Sequence, residues 1–405
     1  MKYLYVIAAL LFAGPAHAEE HILRIYQDAD LSNHIESSQA IQKGIEVAFD
    51  EIDNEIAGYK VEFKYLNHRG NVVRSKKNYE TFLEDPHALV IYSGIHSPPL
   101  ITNRAFINES KALTLVPWAA GGPITRYPSK ENWIFRLSVD DTRAGPVIID
   151  SAMKDKKCTS PHLLLEDSPW GDSNLKSMSK ALKEHNITAP NITRFGWNIA
   201  DYGARVMMRK IVNSGSDCII LVSNAIEGAV IAKALIDVKK TIPLISHWGI
   251  TEGNFHEKIS VQERNNLDLT FIQSCFAFTN SNQTPFSKNV FERLKTLSNR
   301  TIEHPNDLKS AVGFIHAYDL TKVLIAAINQ SGLSGNNVKD RDAIRLALEN
   351  LQTPTQGLVK TYEAPYSAFD AQTNPNAHEA LNKNDYCMAR YGAQDEVLIV
   401  ETSHE

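Results

Sequence analysis

Residues 88–100 read ALVIYSGIHSPPL, and this stretch decides the fold. ALVIYSG carries no charge and has the length and make-up of a strand buried on both faces. Gly94 breaks the run. Ser97 is a residue type that caps helices, and Pro98 suits a first helical position. A strand buried on both faces that feeds straight into a helix is half of a βαβ unit, not one arm of a hairpin. The end of such a strand, beside a helix start, is where α/β proteins hold ligands.

The same alternation extends both ways. HILRIYQ (21–27) and YKVEFKYLN (59–67) read as strands. Between them Ala40, Ile41, Gly44, Ile45, Ala48, Phe49 and Ile52 recur at three- and four-residue steps, one face of a helix. Residues 71–84 read as a helix, and ALTLVPWAA (112–120) as a strand end. The pattern then restarts with NWIFRLSV (132–139) and a helix from about Asp141. HLLLED (162–167), CIILVSN (218–224) and IPLISHW (242–248) follow, with NITRFGWN (191–198) a weaker strand. Helices near 172–185, 200–213 and 226–238 separate them. LTFIQSCFAFT (269–279) reads as one long strand, followed by helices near 285–297, 306–331 and 340–351. The remainder, 355–405, reads mostly as loop. Two α/β units therefore stand in series. The simplest packing assigns 19–138 plus 280–352 to lobe one and 139–279 plus 353–405 to lobe two.

The chain has 405 residues, a formal charge of −5, 43% hydrophobic and 22% charged residues. That supports two cores and gives no electrostatic signal for nucleic acid or an anionic membrane. Lys2, the apolar run YLYVIAALLFAG and AHA (16–18) match a secretory signal cut before Glu19. No cysteine marks a lipid anchor, and no later run reads as long and apolar enough to span a membrane. An exported, soluble periplasmic protein is expected.

Cys158, Cys218, Cys275 and Cys387 allow three disulfide pairings in an oxidising compartment. Cys158 lies just before the strand at 162–167 and Cys218 opens the strand at 218–224. First and third strands of a unit are neighbours, so Cys158–Cys218 is the first pairing and Cys275–Cys387 the remainder. Free buried thiols are the alternative. No C-x-x-C, H-E-x-x-H or G-x-S-x-G occurs, so no metal, no cofactor and no catalytic residue is expected.

The strand ends are YSGIHSPP, PWAAGG, EDSPWGD, SNAIEG and SHWGITEG, two from the first unit and three from the second. Three carry tryptophan: Trp118, Trp170 and Trp248. A lone tryptophan is ordinary core, but three at strand ends suit an aromatic-walled cleft.

The chain resembles the type I periplasmic solute-binding proteins, in particular the branched-chain amino-acid-binding group of ABC transporter receptors. The resemblance is carried by QKGIEVAFDEIDNEIAGYKVEFKYLN, LVPWAAGGPITR, NWIFRLSVDD, LLLEDSPWGDSNLKSMSKAL and AYDLTKVLIAAINQSG. It covers residues 21–352 in order. It implies two Rossmann-like lobes with parallel sheets, a multi-strand hinge, a ligand trapped by lobe closure and a membrane permease as partner, with no enzymatic activity. By the resemblance, Ser97 meets the ligand carboxylate. Trp118, Ala119 and Ala120 occupy a Pro-Ala-Ala-Thr-like run that lacks its threonine here, and Trp170 packs on the ligand. Asn224 sits in SNAIEG, the second of the three strand ends quoted from the second unit. Trp248, beside His247, stands where relatives often place an acid for the ligand ammonium. Glu227 or Glu252 could replace that acid. Pro98 and Pro99 remove two N–H donors from the helix start, weakening it as a carboxylate cradle. These departures favour an aromatic, heterocyclic or amide ligand over a branched-chain amino acid. The chain is expected to act as a monomer on a small molecule. The alternatives are a sensor of the same fold docking on a membrane kinase or cyclase, and a hydrolase.

Overall fold

The computed structural model describes residues 21–253 and 255–400; the expected signal segment, 1–18, lies outside the described residues. Strands β1 (Ile22–Ala29), β2 (Glu55–Ile56), β3 (Tyr59–Asn67), β4 (Ala88–Ser93), β5 (Thr114–Val116) and β6 (Ile134–Arg136) form one sheet. Their order is β2-β3-β1-β4-β5-β6. Every pairing is parallel except the short β2–β3 pair. All six residues of β4 are buried. That is the cost and the signature of a parallel strand covered on both faces, and it explains the uncharged run.

Strands β7 (Pro161–Glu166), β8 (Asn191–Phe195), β9 (Cys218–Val222), β10 (Leu244–Ser246) and β11 (Leu269–Ser274) begin a second sheet. A hairpin, β12 (Thr355–Gln356) with β13 (Thr361–Tyr362), stands apart. Strands β14 (Tyr386–Tyr391) and β15 (Val397–Ile399) complete the second sheet, in the order β15-β14-β11-β10-β9-β7-β8. The first five are parallel to one another, and β14 and β15 add an antiparallel edge.

Capping residues set the helix starts. Asn71 accepts from the N–H groups of Val73 and Arg74, Asp140 from Thr142, and Thr284 from Ser287. The long helix Ala311–Ser331 packs on the helix Ile35–Asp50 so closely that a Cβ on Gly44 would lie 2.4 Å from the Phe314 carbonyl oxygen. This 21-residue helix is long and apolar enough to cross a membrane, contrary to the sequence expectation. Its most apolar window is 83% buried within the fold, the pattern of a core helix.

Two expectations fail in detail. The strand expected over 269–279 ends at Ser274. Cys275 is bonded to Cys387 on β14, and the chain then leaves for the helix Pro285–Leu297 beside the first sheet. The assignment of all of 353–405 to lobe two also fails. Asp319 accepts from the N–H groups of Leu358 and Val359 and from the Tyr362 hydroxyl, holding the hairpin on Ala311–Ser331. Glu379 bridges in parallel to Arg136 at the edge of the first sheet, so only 386–399 joins the second. A second disulfide joins Cys158 to Cys218.

The crossover after β6 is held by charge. Arg136 is fully buried. It donates to Glu379 through Nε (2.8 Å) and Nη2 (2.5 Å), to Asp140 (2.8 Å), and to the carbonyls of Ala119 (3.2 Å) and Gly121 (2.9 Å). Burial opposes the charge on Asp140, but Arg136 and then Arg126 hold its carboxyl below the usual range. Asp140 in turn caps Asp141–Asp150, the first helix of the second unit.

Candidate functional site

The carboxyl ends of β4, β5, β7, β9 and β10 meet around one small cavity of about 10 Å³. From the first sheet come Ile95, His96, Ser97, Pro98, Trp118 and Ala120. Glu166, Trp170, Asn224 and Trp248 come from the second. Six of the seven residues singled out from sequence therefore share one enclosure: Ser97, Trp118, Ala120, Trp170, Asn224 and Trp248. Ala119 does not line it. Beyond the end of β5, its side chain packs into a cluster with Val116 and Ile124, and its carbonyl serves Arg136.

The walls are aromatic and contact across the gap. Trp118 and Trp248, each 1% exposed, stand 5.6 Å apart between ring centres, joining first sheet to second. Trp248 also packs on His316 at 5.2 Å, and Trp170 meets His247 edge-on at 5.2 Å. Trp170 Nε1 donates to Asp141 (3.3 Å). His247 Nδ1 accepts from the Trp248 N–H, and its Nε2 lies 3.0 Å from Asp141 Oδ1. Gly249 is needed behind this wall. A Cβ there would lie 2.5 Å from the Ser223 carbonyl oxygen and 2.7 Å from Asn224 Oδ1.

Ser97 is not the N-cap that the sequence suggested. The helix begins at Ser97, His96 holds the cap position without a side-chain bond, and Pro98 follows inside the first turn. The Ser97 hydroxyl instead accepts from the Gly121 N–H (3.0 Å), tying the helix start to the loop that carries Trp118 and Ala120. With prolines at the next two positions, this corner retains little N–H capacity for an anion.

The acid also sits elsewhere than expected. Glu252 pairs with His34, and Glu227 accepts from the Asn198 N–H (3.0 Å); neither lines the cavity. Glu166 does. It ends β7, is 1% exposed, and its Oε2 has no hydrogen-bond partner. Burial pushes its carboxyl above the usual range. Trp118 Nε1 is likewise buried without a partner. Sequence reading quoted EDSPWGD as a strand end and took only its tryptophan; the strand-end rule pointed equally at Glu166. A larger hollow of about 430 Å³ lies between Arg126 and Lys176, but none of its lining residues carries an unsatisfied buried polar atom.

No protein of curated description matches this chain in sequence. A family model described as periplasmic binding protein matches residues 33–380. Solved structures share the fold at low identity. A type 1 periplasmic binding protein from Bordetella pertussis superposes with a TM-score of 0.77 at 15% identity, covering 94% of this chain and 100% of its own. A leucine-binding protein from Thermotoga maritima gives 0.72 at 15%, covering 94% and 98%. A solute-binding protein of an ABC transporter from R. palustris, in complex with benzoate, gives 0.74 at 13%, covering 94% and 95%. With two parallel sheets meeting at one enclosed cavity and a family match over most of its length, the chain belongs to the periplasmic binding protein family.

Proposed function

We propose that this protein is the periplasmic receptor of an ABC transporter and that it takes an aromatic or heterocyclic solute bearing an N–H or O–H group. The observation that carries the reading is the pair of unsatisfied buried polar atoms, Trp118 Nε1 and Glu166 Oε2, on two residues that line a tryptophan-walled cavity shared by both sheets. A buried polar group without a partner costs about 1–3 kcal/mol, and a solute that supplies both partners recovers it. The cavity of about 10 Å³ has room for about one water, so a ring would enter only as the two lobes part. The solute would offer an acceptor to the indole N–H and a donor to the carboxylate. An α-amino-acid carboxylate finds few donors at Ser97–Pro99, which disfavours the branched-chain default.

The R. palustris protein's benzoate supports an aromatic class for this fold, but a simple aromatic acid has no donor for Glu166. Among the described residues this cavity holds no catalytic constellation, which supports capture and hand-over to a permease without turnover. The test is a thermal-shift panel of aliphatic amino acids, aromatic acids, hydroxylated aromatics, amides and purines on wild type and Glu166→Gln. A solute at a hundred times its Kd adds about 2.7 kcal/mol of stability, an easily read shift. Donor-bearing rings should give the hits, and Glu166→Gln should weaken them. Hits confined to aliphatic amino acids would overturn the reading.

A further inference from the structure

β1 ends at Ala29, and the chain turns through Asp30–His34 into the helix Ile35–Asp50. Two strands of the same sheet thereby bring three ligand-type side chains to one rim: Asp30 and His34 after β1, His96 after β4. One atom from each of the three lies within 4.8 Å of the others, and all three residues are buried. His96 Nε2 is buried without a hydrogen-bond partner and stands 3.7 Å from Asp30 Oδ2. That separation is too long for a hydrogen bond. It is close to the roughly 3.3–3.4 Å between ligands of a tetrahedral ion with ~2.0–2.1 Å bonds. The His34 and His96 rings meet edge-to-face at 4.4 Å.

We propose that Asp30, His34 and His96 form a site for a divalent transition-metal ion at the rim of the solute cavity. The inference goes beyond solute capture and does not depend on it. Two imidazoles and one carboxylate are an N/O set suited to Zn²⁺ and its neighbours, not to Ca²⁺ or Mg²⁺, which take oxygen ligands. Outer support is already built. Glu252, beyond β10 of the second sheet, bonds His34 Nδ1, the carboxylate–histidine arrangement that orients a metal-bound imidazole and raises its basicity. Its other oxygen is buried and unpartnered. The supporting shell thus comes from both sheets, so the ion favours their approach. His68 is excluded as a ligand through Nδ1, which accepts the Gly70 N–H (3.0 Å). His96 also lines the cavity, which places the ion beside the solute. Sequence reading expected no metal because the three residues come from two separate loops and show no ligand spacing.

The test uses untagged protein stripped with chelator and titrated calorimetrically with Zn²⁺, and with Co²⁺ followed by visible absorption. One ion per chain is expected, with Co²⁺ bands of a four-coordinate N/O site. His96→Ala should lower the affinity at least tenfold, while His185→Ala, a peripheral histidine paired with Asp150, should leave it unchanged. Absence of one-to-one binding, or equal binding by folded His96→Ala, overturns the proposal. If that variant does not fold, anomalous scattering at the zinc edge from wild-type crystals decides. A peak between Asp30, His34 and His96 supports the site, and its absence there overturns it.

Discussion

Replacing Arg136 with methionine tests how the crossover holds the binding loop. The guanidinium is fully buried and makes five hydrogen bonds, three to Glu379 and Asp140 and two to the carbonyls of Ala119 and Gly121. Methionine fills much of the volume and satisfies none of these groups. Removing one partner of a buried pair costs about 3–5 kcal/mol, because the other charge stays buried. Here Arg126 still faces Asp140 at 2.6 Å and Glu379 at 3.4 Å, so two acids keep one cation. The expected loss is therefore near the lower bound, about 3 kcal/mol, read as a shift in urea midpoint at unchanged slope. Adding Glu379→Gln removes the surplus charge and should return more than about 1 kcal/mol. Freed carbonyls at Ala119 and Gly121 loosen the loop bearing Trp118 and Ala120, so solute affinity should fall as well. A loss under about 1 kcal/mol, with no recovery in the double variant, would refute the reading that this network holds the crossover after β6.

Trp170→Ala should weaken solute binding by more than about 1 kcal/mol, the scale of an aromatic contact; an unchanged Kd removes Trp170 from the site. His316 is fully buried, and burial pushes its imidazole down to about 3. Its folded form binds fewer protons than the unfolded chain, so it takes stability away as pH falls from about 6.5 toward 3, at up to ~1.4 kcal/mol per pH unit. His316→Gln, which keeps a partner for Ser274, should flatten urea-derived stability across pH 7 to 5 relative to wild type, and parallel profiles would contradict this. Cys275→Ser with Cys387→Ser opens a loop of 112 residues and should cost about 2–5 kcal/mol in denaturant, with a null result showing that β14 is held by sheet pairing alone.

Much of the fold was legible because parallel strands leave an unmistakable record. ALVIYSG and CIILVSN are uncharged runs because both faces of β4 and β9 are covered. The helices read over 71–84, from about Asp141 and near 285–297 start where the structure places the caps Asn71, Asp140 and Thr284, which the sequence reading did not name. What failed was set by partners distant in sequence. Nothing local stops LTFIQSCFAFT at Ser274; the bond from Cys275 to Cys387 and the crossing to the other sheet do. The tail at 355–381 has too little apolar pattern to show that Asp319 and Arg136 hold it on the first sheet. In the site, strand ends located the tryptophans, but the loop after β5 turns Ala119 into the cluster with Val116 and Ile124. His34, His96 and Glu252 come from three separate loops, and only the folded chain brings them together.

The most direct test is a crystal structure of the protein with the strongest solute from the panel. The account predicts one ring between Trp118, Trp170 and Trp248, with polar atoms on Trp118 Nε1 and the Glu166 carboxylate. Density for the solute elsewhere, as in the hollow between Arg126 and Lys176, or a solute in the cavity that leaves both atoms unpaired, would contradict it.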